Sequence, residues 1–209
     1  MGRGGRFGKY GEHKRFERLR RAKKAGFIRG VKSTPHSKIA HASPSGIPKR
    51  SAQALKVDFR TADYRDLPFI TRLSEQVFSP YGPYGEIIAR WASFPHITTV
   101  VFEEKSLSRG FAMINPILEA GSFPKAELMA IAVVPAYQRR GIGKMLLRYM
   151  EELVRSLGIR EMVIHTATMN RVAQGFFAKN GFIRRGLVDC YYPMGQEAIE
   201  MSKTLTIST

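Results

Sequence analysis

Apolar residues recur along this chain with two periods, and the points where one gives way to the other mark its elements. From Lys56 the run KVDFRTA alternates apolar with polar and predicts an edge strand. Asp63 then stands where a carboxylate caps a helix, which should run from Arg65 to about Val77. The stretch FSPYGPYG over 78–85 carries two prolines and reads as turns, with a short helix over 86–93 holding Trp91. Two strands follow, over 97–103 and 110–116, joined by a hairpin connection and followed by a loop over 117–124. Residues 127–134 are mostly apolar and predict a buried central strand, which Pro135 ends because it has no N–H for a ladder. Leu146, Met150, Leu153 and Leu157 recur at helical spacing up to Gly158, a helix stop. A β-branched strand over 162–168 and a helix from Asn170 to the Asn180-Gly181 pair come next. Two more strands, near 186–192 and 198–205, close the chain. The expected order is β-α-α-β-β-β-α-β-α-β-β, an α/β (α+β) domain over 55–209.

Residues 1–54 have no such period. The first eleven are glycine-rich and basic, residues 12–25 form a helix-compatible run with a thin apolar stripe, and residues 26–54 read as a proline-bearing linker. The expectation is a disordered basic extension. Charge agrees with that division. The chain carries a net +17, of which residues 1–50 supply +13, with 15 Lys and Arg against 2 acidic residues. Three readings of the extension stay open: an arm contacting RNA or the ribosome through phosphates, a cleavable transit segment, or a solvated tail. No apolar run approaches the roughly 20 residues of a membrane span, and no membrane partner is expected. The single cysteine, Cys190, cannot form an internal disulfide and fits a reducing, cytoplasmic setting. We expect it to be a buried bystander. No metal site is expected.

The candidate chemistry sits just after the central strand, in Gln138-Arg139-Arg140-Gly141-Ile142-Gly143-Lys144. The first N–H groups of a helix have no intrahelical partner and carry the positive end of its dipole. Glycines at 141 and 143 let the backbone close on a phosphate, and Arg139, Arg140 and Lys144 add charge there. Together these features predict a diphosphate-binding loop. The dinucleotide fingerprint fits less well, because Leu146 stands where its third glycine belongs.

The run Val133 to Lys144 resembles the coenzyme A signature of the GNAT acyltransferase superfamily. The resemblance implies a mixed, mainly antiparallel sheet splayed at its centre and flanked by helices. It implies acetyl-CoA as co-substrate, its pyrophosphate on Gln138, Arg139, Arg140, Gly141, Ile142, Gly143 and Lys144, and its pantetheine arm along Ala132, Val133 and Val134. Asn170, Ala173, Phe176, Gly181 and Phe182 match a second GNAT segment, which implies that Asn170 and Phe177 border the cofactor; Asn170 also reads as a helix cap. Phe177 stands at the family's tyrosine position, so the hydroxyl that protonates the departing thiolate is missing there. The tail is similar to that of bacterial ribosomal-protein alanine N-acetyltransferases, a group whose implied acid corresponds to Tyr137 and whose base is a central-strand glutamate; Lys125 stands at that position here, and Glu127, two residues on along the same strand face, is the candidate base. A backbone N–H near 132–134, at a bulge, is the expected oxyanion donor. Tyr81, Tyr84, Trp91, Tyr191 and Tyr192 either line an acceptor groove or fill a core. The function implied is acetyl transfer to an amine, with a protein amino terminus, a lysine and a small amine all open. The alternative is a non-catalytic RNA- or ribosome-associated protein with a CoA-binding domain. Oligomeric state is not legible.

Overall fold

The computed structural model describes residues 57–118 and 123–206. The expectations for residues 1–54 (disorder, the helix over 12–25, the RNA-contacting arm) lie outside the described residues. Seven strands and four α-helices follow the expected order: β1 (Val57–Thr61), α1 (Leu67–Phe78), α2 (Tyr84–Ala92), β2 (Thr98–Glu104), β3 (Leu107–Ile117), β4 (Lys125–Val133), α3 (Ile142–Ser156), β5 (Glu161–Ala167), α4 (Arg171–Lys179), β6 (Ile183–Val188) and β7 (Ala198–Thr204). They form one sheet in the order β1-β2-β3-β4-β5-β7-β6. Neighbours are antiparallel except β4 and β5, which run parallel.

Strand alternation divides the apolar residues between two cores. Val100, Phe102, Ala112 and Ile114 face one side, where Leu146, Leu147, Met150 and Val154 of α3 and Phe177 of α4 cover them. Val101, Phe111 and Met113 face the other, under Ile70 and Leu73 of α1 and Ile88 and Trp91 of α2. Trp91 therefore fills core, at 3% exposure.

Three boundaries depart from expectation for local reasons. Asp63 accepts the Arg65 N–H at 2.8 Å, but it caps a 3-10 turn over Tyr64–Asp66, and α1 begins only at Leu67 with a proline in its first turn. Strand β6 begins and ends earlier than expected, because the chain turns after Val188 through Cys190, whose φ is +48°. Cys190 is exposed there, which corrects the expectation of a buried bystander. The bulge of β4 lies at Met129, where Met113 pairs with Ala130 and Ile114 with Leu128, rather than near 132–134.

This bulge positions the site. β4 pairs with β5 over only four residues, from Lys125 with Glu161 to Leu128 with Ile164. Beyond Met129 the two strands part, while β4 continues to Val133 against β3 alone. The opening is a wedge between two central strands.

Candidate active site

A cleft of about 950 Å³ occupies the wedge, at the upper end of the usual range for small-molecule sites, roughly 300–1,000 Å³. Its floor is β4 from Leu128 to Val133 on one side and Ile164, His165 and Thr166 of β5 on the other. One end is the glycine loop. The other is walled by Tyr81, Tyr84, Tyr191 and Tyr192.

At the loop end, a 3-10 turn over Pro135–Tyr137 follows β4. Gln138 donates from Nε2 to the Val133 carbonyl at 3.1 Å, which ties the loop to the strand it leaves. Arg139 (φ +63°) and Gly141 (φ +85°) are both left-handed, and Gly141 is the N-cap of α3. Met145 makes the first bond of the helix, to the Gly141 carbonyl at 3.0 Å. The amides of Ile142, Gly143 and Lys144 thus belong to the first turn, whose N–H groups have no carbonyl behind them. A Cβ built on Gly143 would meet only the Phe176 ring at 3.7 Å and Val133 at 3.9 Å, ordinary contact distances. The glycine is not demanded by packing; it keeps the cleft side of the turn open.

Ala132, Val133, Gln138, Arg139, Gly141, Gly143, Lys144, Asn170 and Phe177 all line the cleft. Val134, Arg140 and Ile142 are not among its lining residues. Ile142 is 4% exposed and belongs to the core under α3, Val134 packs toward α1 and α2, and Arg140 lies 4.9 Å over the Tyr137 ring. Asn170 does cap α4, accepting the Ala173 N–H at 3.0 Å. It also hydrogen-bonds the Tyr81 hydroxyl, whose pKa burial pushes up and this bond pulls down. Tyr137 is likewise absent from the lining: its ring is held between Arg109, at 4.0 Å, and Arg140.

At the aromatic end, Glu127 is 6% exposed and is not a solvated strand-end charge. Its Oε1 accepts the Tyr191 hydroxyl at 3.0 Å and faces His165 Nδ1 at 3.1 Å. Glu127 itself does not line the cleft; His165 and Tyr191 do, with their rings stacked 4.5 Å apart. On its other side, His165 Nε2 stands 3.3 Å from Glu200 Oε2. Tyr192 donates to the His165 carbonyl at 3.4 Å and packs against Tyr81 and Tyr84, with centroids 5.1 and 6.1 Å apart. Of the five aromatic candidates, four line the cleft and Trp91 does not.

Sequence reasoning missed His165 and Glu200. Each is an ordinary polar residue inside a strand, and only the β5–β7 register, which pairs them directly, brings them together. Among the described residues no three His, Cys, Asp or Glu side chains are placed to hold a metal ion. No helix among them is long and apolar enough to cross a membrane.

Comparison with known proteins accords with this geometry. Over 86 residues the chain is 30% identical to the [ribosomal protein bS18]-alanine N-acetyltransferase of Salmonella typhimurium, covering 41% of this chain and 55% of that one. Over 58 residues it is 38% identical to the spermidine N(1)-acetyltransferase of Thermoplasma acidophilum, covering 28% and 36%. The matches thus span about half and a third of those relatives. The solved ribosomal-protein-S18-alanine N-acetyltransferase from Escherichia coli shares the fold, with a TM-score of 0.61 at 20% identity over 73% of this chain and 96% of that one. The sequence model of the acetyltransferase (GNAT) family matches residues 64–182, more than half of the chain, and the protein belongs to that family.

Proposed function

We propose that this protein is an N-acetyltransferase that moves the acetyl group of acetyl-CoA to an amine. The observation that carries the reading is the wedge between β4 and β5. It joins an anion-binding helix start at one end to a carboxylate–imidazole–tyrosine cluster at the other. The pyrophosphate would lie on the first turn of α3, the pantetheine arm along Ala132 and Val133, and the thioester near His165. The acceptor amine would enter between the tyrosines, and Glu127 would act in removing its proton. The backbone N–H of Met129, the extra residue at the β4 bulge, would be the candidate donor to the oxyanion. An exposed, unpaired cysteine supports a reducing compartment such as the cytoplasm.

The test is thiol release from acetyl-CoA with three amines: a peptide with a free alanine amino terminus, a lysine peptide blocked at its amino terminus, and spermidine. Release with one of them establishes the reaction and its acceptor class. Calorimetric binding of acetyl-CoA without release from any would favour a CoA-binding protein of another kind. Tyr137 as the acid for the departing thiolate is tested in the same assay. Tyr137→Phe should lower turnover while acetyl-CoA affinity stays within about twofold; an unchanged rate removes Tyr137 from the mechanism.

A further inference from the structure

We propose that this protein acetylates itself, transferring acetyl groups in cis to lysine side chains within residues 1–50. This rests on the acetyltransferase reading above and names an acceptor for it. The cleft is charged differently on its two sides. Its Lys and Arg residues all belong to the side that would take the cofactor, Arg139 and Lys144 in the glycine loop and Arg171 and Lys179 on α4. Tyr191 and Tyr192, at the acceptor end, belong to the stretch 189–200, which holds Asp189, Glu197 and Glu200 and no Lys, Arg or His. Asp189 and Glu197 are exposed, and the Glu200 side chain is 39% exposed, 3.3 Å from His165. Thr168 donates its N–H to the Glu197 carbonyl at 3.2 Å, which ties this acidic stretch to the end of β5. A cationic acceptor is therefore drawn to the aromatic end and repelled from the glycine loop.

Residues 1–50 meet that description. They hold 15 Lys and Arg, seven of them lysines, against 2 acidic residues, and the chain passes from them into the domain at β1. Val57 pairs with Glu104 and Glu104 with Leu107, while Gly110, farther along β3, pairs with Val133, where β4 ends. β1 therefore starts at the end of the sheet where β4 and β5 part. Four strand spacings separate β1 from β5, roughly 20 Å. Chain length then selects among the lysines. Lys49 is eight residues from Val57, at most about 28 Å of chain, too little to cross the sheet and round the α1–α2 layer as well. Lys38 is nineteen residues away, up to about 65 Å, and the five lysines before it have more. Tethering makes the encounter intramolecular, at an effective concentration on the order of millimolar. The lysine ammonium gives one proton to the carboxylate–imidazole cluster, its nitrogen attacks the thioester carbon, the C–N bond forms and the C–S bond breaks. The second nitrogen proton goes to the thiolate, which leaves as the coenzyme A thiol. Each transfer removes one positive charge from residues 1–50 and weakens their attraction for phosphates.

The experiment incubates the full chain with isotopically labelled acetyl-CoA, without added amine, and maps acetyl-lysine by peptide mass spectrometry. Acetyl groups carried over from expression are counted together with the label. One or more of the six lysines from Lys9 to Lys38 should be modified about tenfold faster than in Gly143→Glu, with Lys49 unmodified. The first-order rate constant should stay the same when the protein is diluted. Asp189→Asn combined with Glu197→Gln should slow the modification about threefold at low salt and less at high salt, with acetyl-CoA affinity by calorimetry unchanged. Equal modification of wild type and Gly143→Glu would reveal chemical acetylation alone and overturn the proposal. So would unmodified lysines in a wild type that releases thiol with an added amine, and a rate constant that falls on dilution overturns transfer in cis. The underlying reading fails separately, when the wild type releases thiol neither with the three amines nor with its own lysines.

Discussion

Arg60 shows how one side chain can tie a strand, a turn and a neighbouring strand together. Its guanidinium meets both Asp66 oxygens at 2.7 and 2.8 Å and Glu103 at 2.6 Å. Asp66 Oδ2 also accepts the N–H of Asp63, closing the capping box that starts the first helical turn. Arg60 holds the Asp66 carboxyl below its ordinary value near 3.8. A depressed carboxyl contributes stability in full above its unfolded pKa and loses it as pH falls through the folded one. Asp66→Asn should therefore cost about 1–2 kcal/mol at pH 7, less than for a fully buried pair because Arg60 is a third open to solvent. The gap from wild type should narrow below about pH 4 in urea unfolding. A gap unchanged at pH 3 would refute the link. None of this pairing was legible in the sequence beyond the Asp63 cap. The cap is local chemistry, whereas Arg60 finds Glu103 through the β1–β2 register, which pairs it with Val101 and places Glu103 two residues away on the same face.

Among the elements, the loop and first turn of α3 were the most legible, because Pro135, the glycines and the basic residues act on their own stretch of backbone. The cleft's other end was not. Glu127 could be singled out as a charge in an apolar strand, but its partners come from β5 and the turn after β6, and His165 in turn meets Glu200 of β7. That turn carries no glycine or proline at its left-handed residue Cys190, so nothing marked the early end of β6. Tyr137 reads as an acid by position alone; its placement is decided by Arg109, a residue on β3 that no local pattern connects to it. The loop yields a paired prediction. Gly143→Ala should leave Tm within about 2 °C, since its Cβ would find ordinary contacts, and should weaken acetyl-CoA by a measurable factor. Gly143→Glu should remove detectable binding in calorimetry, because it sets a carboxylate against the pyrophosphate. Equal affinities in all three proteins would move the cofactor elsewhere.

For the whole molecule, the charge division sets one expectation. Residues 51–209 carry only +4, so any RNA affinity should follow residues 1–50. Deleting those residues should abolish salt-sensitive binding of a ribosomal RNA fragment in a filter assay while acetyl-CoA turnover persists. Binding that survives the deletion would place the contact on the folded domain. The fold class and element order were legible because the periods are long and regular, and the splay was expected only from family resemblance. Its physical cause, the single extra residue at Met129, is a matter of register between strands and leaves no local trace.

The wedge also makes the sheet incomplete. Past Leu128 the inner edges of β4 and β5 have no strand between them, and a molecule with amide groups along its length could take that place as a short surrogate strand. Cofactor binding would then be a late folding step. Acetyl-CoA at a hundred times its Kd should raise stability by about 2.7 kcal/mol. Amide hydrogen exchange should slow first at residues 129–133, as the slow-exchanging core extends into the gap.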